Sequence, residues 1–245
     1  MTRTFRKADC GWQMWDFRDH IRYPPSAIRH PQNQIMHKFL LWDHDGVRVD
    51  TEPLYFAATQ ESIRLLGLDI DQAEYLRLTT AGRTSWELAR QRGIAESVIA
   101  EARQKRDRRY QQYLMTREIE IEGVIDVLTA LSARYRMAIV TTSKRSDFEL
   151  IHRSRRIRDF FEFVITVEDC ARAKPDPDPY LRALSKFNAG PEEALVIEDS
   201  ARGLAAALAA GLKCVIIRNS FTAADDFSGA SHVLSSIRDL PQVLS

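Results

Sequence analysis

The chain has little cysteine: three residues in 245, Cys10, Cys170 and Cys214, widely spaced and odd in number. That excludes a disulfide framework and a CxxC metal site, and it fits a reducing, cytoplasmic compartment. No apolar run approaches the length of a membrane span. No apolar signal core follows the N-terminal basic residues, so secretion is not expected. Charge of one sign is also missing: 35 Lys and Arg stand against 34 Asp and Glu, a net +1, which gives no pull toward nucleic acid or anionic lipid. Internal repeats and low-complexity tracts are absent. What is present is a soluble globular composition, 44% hydrophobic and 28% charged, in a chain long enough for one large core or a core plus a smaller domain.

Three polar clusters each begin where a short apolar run stops. Phe39–Trp42 leads into Asp43-His44-Asp45-Gly46, Met137–Val140 into Thr141-Thr142, and Ala194–Ile197 into Glu198-Asp199-Ser200. Short continuous apolar runs separated by helical patterns read as buried parallel strands. Further strands are expected at Phe163–Thr166 and Lys213–Ile217. Helical stripes lie between them: Val124, Val127, Leu128 and Leu131, then Tyr180, Ala183, Leu184 and Phe187, then Leu204, Ala207 and Leu208. The alternation predicts an α/β fold, a doubly wound, Rossmann-like parallel sheet. Ligands of such sheets bind beyond the carboxyl ends of the strands. Four carboxylates and two hydroxyls therefore converge where chemistry is expected, a pattern suited to Mg²⁺-assisted phosphoryl transfer.

The expected domain division is an N-terminal extension over 1–35, an α/β core over 36–52 and 118–245, and a helical insertion over 53–117. The extension carries six basic and three acidic residues and aromatics without helix or strand period, broken by Pro24-Pro25 and Pro31. It reads as a poorly ordered arm or an unused upstream start, with Met36 a natural beginning. Pro53 suits a first helical position, with Thr51 or Glu52 near the cap. Later insertion helices are expected at Asp71–Leu78, Ser85–Arg92 and Ala95–Met115, the last with a charged, solvated face.

Asp43 and Asp45 are two apart at a strand end, so both carboxylates can face one side while His44 points away. Such a pair can divide labour, one attacking phosphorus and the other moving the proton of the leaving oxygen. The longer string Asp43-His44-Asp45-Gly46-Val47-Arg48-Val49-Asp50-Thr51-Glu52 resembles the first motif of the haloacid dehalogenase superfamily, DxDG(V/T)xxD(T/S)E. Ile139–Lys144 resembles its second motif, Lys174–Pro179 its third, and Val196–Gly203 its fourth, all in order. The resemblance covers about residues 37–220.

That resemblance implies roles. Asp43 is the nucleophile. Asp45 is the general acid and then the base, with its backbone carbonyl on Mg²⁺. Thr141 bonds the transferring phosphoryl group, with the Thr142 N–H nearby. Lys174 neutralises Asp43 and the phosphate, and Glu198 with Asp199 completes a metal site of Asp43, Asp45, Glu198 and Asp199. Mg²⁺ suits an all-oxygen set without His or Cys. The insertion resembles the C1 cap of the subgroup containing β-phosphoglucomutase and phosphoglycolate phosphatase. Gly82, Arg83 and Thr84 then fall in its substrate-specificity loop, where Arg83 could bind a second anionic group. His44 reads as a packed side chain, and Arg48 as either a contact to an anionic substrate or a solvent-facing residue.

The implied activity is a phosphatase for a small phosphorylated metabolite. A phosphosugar mutase using the same Asp pair is the alternative, and a non-catalytic binder follows behind. Dehalogenation leaves Asp45 without a role, and the insertion has no obvious Schiff-base lysine for phosphonate cleavage. A monomer or weak dimer is expected, with no nucleic-acid or membrane partner.

Overall fold

The computed structural model describes residues 37–244. The expected extension over 1–35 lies outside them. The first strand, β1 (Phe39–Trp42), is followed by four helices, α1 (Glu52–Arg64), α2 (Gln72–Thr80), α3 (Trp86–Gln91) and α4 (Glu96–Thr116). Then come α5 (Val124–Ser132), β2 (Arg136–Val140), α6 (Arg145–His152), β3 (Phe163–Ile165), α7 (Asp178–Phe187), β4 (Ala194–Glu198), α8 (Ala201–Ala209), β5 (Lys213–Ile217), β6 (His232–Leu234) and α9 (Leu240–Val243). The six strands form one parallel sheet in the order β3-β2-β1-β4-β5-β6. This is the doubly wound α/β fold expected from the alternation.

All four residues of β1 are buried because both sheet faces are covered. Its side chains alternate between two apolar layers. Leu40 and Trp42 join Val124, Val127, Leu128 and Ile139 on one face. Phe39 and Leu41 join Val140, Tyr180, Leu204 and Ala207 on the other. A third cluster belongs to the helices between β1 and α5: Ile63, Ile70, Tyr75, Leu78, Trp86, Ala89, Ile99 and Ala102. Four helices with their own apolar cluster can hold a shape beside the sheet, while Leu54 of α1 and Tyr110 and Leu114 of α4 root them in the sheet's own layer. The charged face of α4 is exposed, with Arg103 and Arg109 paired to Glu96 and Glu61.

The strand order positions the site. The chain moves from β1 to β2 on one side and returns to β4 on the other, so the carboxyl ends of β2, β1 and β4 stand side by side. Trp42 is in register with both Ile139 and Ile197. Asp43, Thr141 and Glu198 are thereby brought to one edge, at the point where the order reverses. No described helix is long and apolar enough to cross a membrane, and Cys170 and Cys214 are free thiols.

Candidate active site

Asp43 continues β1 for one residue: its N–H donates to the Ile197 carbonyl at 2.8 Å. The backbone then turns at Gly46, whose φ of +74° favours glycine. A Cβ there would lie 2.0 Å from Asp199 Oδ2, so the turn also needs glycine to let the β1 and β4 loops touch. Asp43, Glu198 and Asp199 each place a carboxylate oxygen within 4.8 Å of the others. All three are buried. Lys174 enters this cluster from the loop before α7. Its ammonium donates to Asp43 Oδ1 at 2.6 Å, Glu198 Oε1 at 2.7 Å and the Val140 carbonyl at 2.8 Å. Three partners account for its three donors.

Glu198 is held by protein donors on both oxygens. Oε1 also accepts from the Tyr180 hydroxyl at 2.9 Å, and Oε2 from the N–H groups of Asp199 and Ser200 and the Ser200 hydroxyl. Ser200 Oγ in turn accepts from Gly203 N–H, capping α8. A Cβ on Gly203 would meet Glu198 Oε1 at 1.8 Å. The glycine of the fourth motif therefore makes room for that carboxylate.

Asp45 shares the cavity with Asp43 but not the three-carboxylate cluster. Its oxygens accept from the Thr51 and Ser143 hydroxyls, and the His44 ring lies 3.3 Å away. Thr51 sits at the N-cap of α1 but makes no side-chain cap, because its hydroxyl goes to Asp45 instead. His44 is fully buried, with Nδ1 turned toward Asp45 and the rest of the ring away from the cavity. It packs on Phe148 and meets His152 with the two Nε2 atoms 2.8 Å apart. Arg48 takes neither course read for it. It is fully buried, with Nε donating to the Asp43 carbonyl at 2.9 Å and its guanidinium 4.7 Å above the Phe161 ring. The ring face and the carbonyl are the contacts that this buried cation makes, while its two terminal nitrogens are buried without a hydrogen-bond partner.

These surroundings divide the carboxylates. Burial pushes Asp43 up, with the Glu198 and Asp45 charges adding to it against Lys174. Asp199 is raised well above its ordinary value by burial and by the Glu198 and Asp43 charges. Glu198 goes down: burial would raise it, but Lys174 and the N–H donors outweigh that. Asp45 also goes down, since His44, Ser143 and Thr51 outweigh its burial. Two carboxylates are thus satisfied and two are not. An arrangement of this kind fits a hard divalent cation, which relieves the repulsion that burial has left between Asp43 and Asp199.

Above the cluster lies a cavity of about 440 Å³. Asp43, Asp45, Thr142, Lys174, Glu198 and Asp199 line its floor, and Glu52, Tyr55, Tyr75, Thr79 and Tyr110 line the helical side. Thr141 is buried and is not among the lining residues, its hydroxyl accepting from Ser143 N–H at 3.0 Å. Gly82, Arg83 and Thr84 are exposed and do not line the cavity. Arg83 is instead paired with Glu87 one turn on. The cations beside the opening are Lys144, already paired with Asp107 at 2.9 Å, and Arg202, which reaches Thr142 Oγ1 at 3.4 Å. Sequence reasoning missed Ser143, Tyr180, Arg202 and Asn219. Ser143 and Arg202 stood inside the motif strings, whereas Tyr180 had been assigned only to a helical stripe.

The profile of the haloacid dehalogenase-like hydrolases matches residues 40–217. This chain belongs to that family. It is 33% identical over 213 residues to protein CbbY of Cereibacter sphaeroides, covering 82% of this chain and 93% of that one. It is 28% identical to the fructose-1-phosphate phosphatase YqaB of Escherichia coli, covering 73% and 95%. The solved structure of CbbY from Rhodobacter sphaeroides with phosphate superposes with a TM-score of 0.71 at 30% identity, over 84% and 96% of the two chains. A variant of the same protein was solved with xylulose-(1,5)bisphosphate, with a TM-score of 0.72. The enzyme class that the motifs imply, a phosphatase-type hydrolase of this family, is that of the YqaB relative.

Proposed function

We propose that the protein is a Mg²⁺-dependent phosphatase for a small phosphorylated metabolite of the sugar phosphate class, working through an aspartyl-phosphate on Asp43. The observation that carries this is the juxtaposition of Asp43, Lys174 and Asp199 on the floor of a cavity that also holds Asp45. A carboxylate oxygen of Asp43 attacks phosphorus and the bond to the leaving oxygen breaks. Asp45, which the free site holds ionised, first takes up a proton with the substrate, from solvent or from a monoanionic phosphate ester, and then gives that proton to the leaving oxygen. Asp45 then takes a proton from water, whose oxygen attacks the phosphorus of the acyl phosphate, releasing phosphate and restoring Asp43. Lys174 neutralises Asp43 and the incoming phosphoryl oxygens throughout, and Thr142 borders the phosphoryl end. Asp43, Asp199 and the Asp45 backbone carbonyl would hold Mg²⁺, with Glu198 anchoring Lys174 beside them. An ion held there would supply charge stabilisation to the phosphoryl oxygens.

Glu52, Tyr55, Tyr75, Thr79 and Tyr110 give the helical wall polar groups for a polyol, with the Tyr75 hydroxyl already donating to Glu52 and the Thr79 hydroxyl to the Tyr75 carbonyl. In this reading α1–α4 serve as the cap over a core formed by the remainder, and the enzyme works in the cytoplasm. A mutase would use the same Asp pair; the phosphatases among the relatives favour hydrolysis. The test is a turnover screen over phosphorylated sugars, phosphoglycolate and nucleotides, with Mg²⁺ or chelator, reading released phosphate and sugar isomers. Mg²⁺-dependent phosphate release that is lost in Asp43→Asn is expected. Release that survives that substitution, or full activity in chelator with no metal retained, overturns the mechanism, and isomer without phosphate release assigns the mutase.

A further inference from the structure

The loop after β5 is tied to the fourth motif at two points. Asn219 Nδ2 donates to Asp199 Oδ2 at 2.7 Å. Six residues on, Asp225 Oδ2 accepts from the N–H of Ala201 at 2.9 Å. The Asn219 amide is itself oriented: its Oδ1 accepts from Phe221 N–H at 2.8 Å and Thr222 N–H at 3.1 Å. With the oxygen committed to two backbone donors, the NH₂ group can only face Asp199. Between the two ties stands Phe221. Its ring lines the cavity and packs against the apolar cluster of α1–α4 that contains Ile63, Tyr75 and Trp86.

One short loop therefore touches the carboxylate Asp199 at one end and the helical wall of the cavity at the other. We infer that Asn219 is a positioning residue for Asp199 and that Phe221 couples the placement of α1–α4 to it. The same turn, Asn219–Thr222, sets the side-chain amide and the ring. A displacement of the ring by the helices is thus transmitted to the amide that orients Asp199. Partners that orient a metal-bound carboxylate commonly carry 10–100-fold in metal affinity. The inference rests on the divalent-ion reading given above.

The experiment is substrate-free Mn²⁺ titration followed by electron paramagnetic resonance, with thermal melts alongside, on the wild type, Asn219→Ala, Phe221→Ala and Phe221→Leu. Asn219→Ala is expected to weaken Mn²⁺ binding by about 10-fold or more. Phe221→Ala is expected to weaken it by about 3-fold, and Phe221→Leu to restore it, since Leu keeps an apolar contact to the helices. A purely structural loop would lower the melting temperature of both alanine variants and leave the Mn²⁺ affinity unchanged; that result overturns the inference. Weakening in Asn219→Ala with none in Phe221→Ala overturns the coupling to the helices. A wild type that binds no Mn²⁺ overturns the divalent-ion reading and this inference together, whereas wild-type binding that Asn219→Ala leaves unchanged removes only the inference.

Discussion

Replacing Lys174 with Met tests the electrostatic logic of the site without reference to any substrate. Met keeps most of the volume but removes the charge and all three donors. The Lys174 side chain is 2% exposed, with Glu198 at 1% and Asp43 at 12%, so water cannot replace the lost partner. Breaking a buried pair by removing one member costs about 3–5 kcal/mol. For a chain of this size one kcal/mol moves the melting temperature by about 2–4 °C, so the fall is about 6–20 °C. The assay is urea unfolding followed by circular dichroism in chelator. The loss also has a predicted pH dependence. Glu198 lies below its ordinary value of 4.5 because Lys174 outweighs burial. In the wild type its contribution is present above that value and lost as pH falls through the folded pKa. In the variant, burial is opposed only by the Tyr180 and Ser200 hydroxyls and the two N–H groups, so Glu198 rises and the stability that the wild type gains above pH 4.5 shrinks. The gap between the two proteins must therefore widen from pH 4.5 to 7.5. Adding Glu198→Gln to Lys174→Met should recover part of the loss, because no uncompensated charge remains at that position. A loss under about 1 kcal/mol at pH 7.5, or one that does not change over this range, would refute the reasoning.

Asp43→Asn should abolish phosphate release, since an amide cannot form the acyl phosphate, while circular dichroism shows the fold retained; near wild-type turnover would remove Asp43 from the mechanism. Ca²⁺ should inhibit the Mg²⁺-supported reaction, because its longer, more numerous and often bidentate contacts spoil the attack geometry; equal rates with either ion would contradict that. Mg²⁺ should raise the melting temperature more at pH 8 than at pH 5.5, because the carboxyls of Asp43 and Asp199 are pushed up and protons compete for them as pH falls; a pH-independent shift would place the ion elsewhere. Arg202→Ala should lower kcat/KM for the best substrate more than Arg83→Ala does, by about 10-fold or more if a charge-assisted bond is lost; the reverse order would return substrate choice to the Gly82–Thr84 loop.

The parts of the fold that could be read from sequence are those with strong local signals. β1, β2, β4 and β5 are short unbroken apolar runs, and a parallel sheet covered on both faces produces that pattern. β6 was missed because His232–Leu234 is three residues long, mostly exposed and at the sheet edge, so its two apolar residues, Val233 and Leu234, make too short a run to stand out. Helices α2, α3 and α4 fell within two residues of expectation. At the site, the motif strings placed Asp43, Lys174, Glu198 and Asp199 together. They did not show that Arg83 lies outside the cavity lining and pairs with Glu87, because that depends on how the helices pack. Arg48 escaped the reading for a related reason. A charged residue after a strand is ordinarily solvated, and the contacts that Arg48 makes instead, the Phe161 ring and the Asp43 carbonyl, lie 113 and 5 residues away along the chain.

The four carboxylates divide into two pairs, and the division follows from which neighbours can donate. Glu198 and Asp45 are saturated by protein groups, Lys174, Tyr180 and Ser200 for one, Thr51 and Ser143 for the other. Their positions are thereby fixed and their charges held. Asp43 and Asp199 face each other across a gap that the Gly46 turn keeps narrow, with one ammonium and one amide between them and too few donors for two charges. Adding a hydroxyl or amide would stabilise that gap and also close it to a cation. A site intended only for stability would carry such a donor. The unsatisfied pair therefore lies where an ion is to sit, and the satisfied pair lies where geometry must not move. On this view Ser143→Ala, which removes one donor from Asp45, should lower kcat with little change in Mg²⁺ affinity, because it loosens the proton-transfer group and leaves the ion pocket intact. Parallel losses in kcat and Mg²⁺ affinity would show that the two pairs do not act separately.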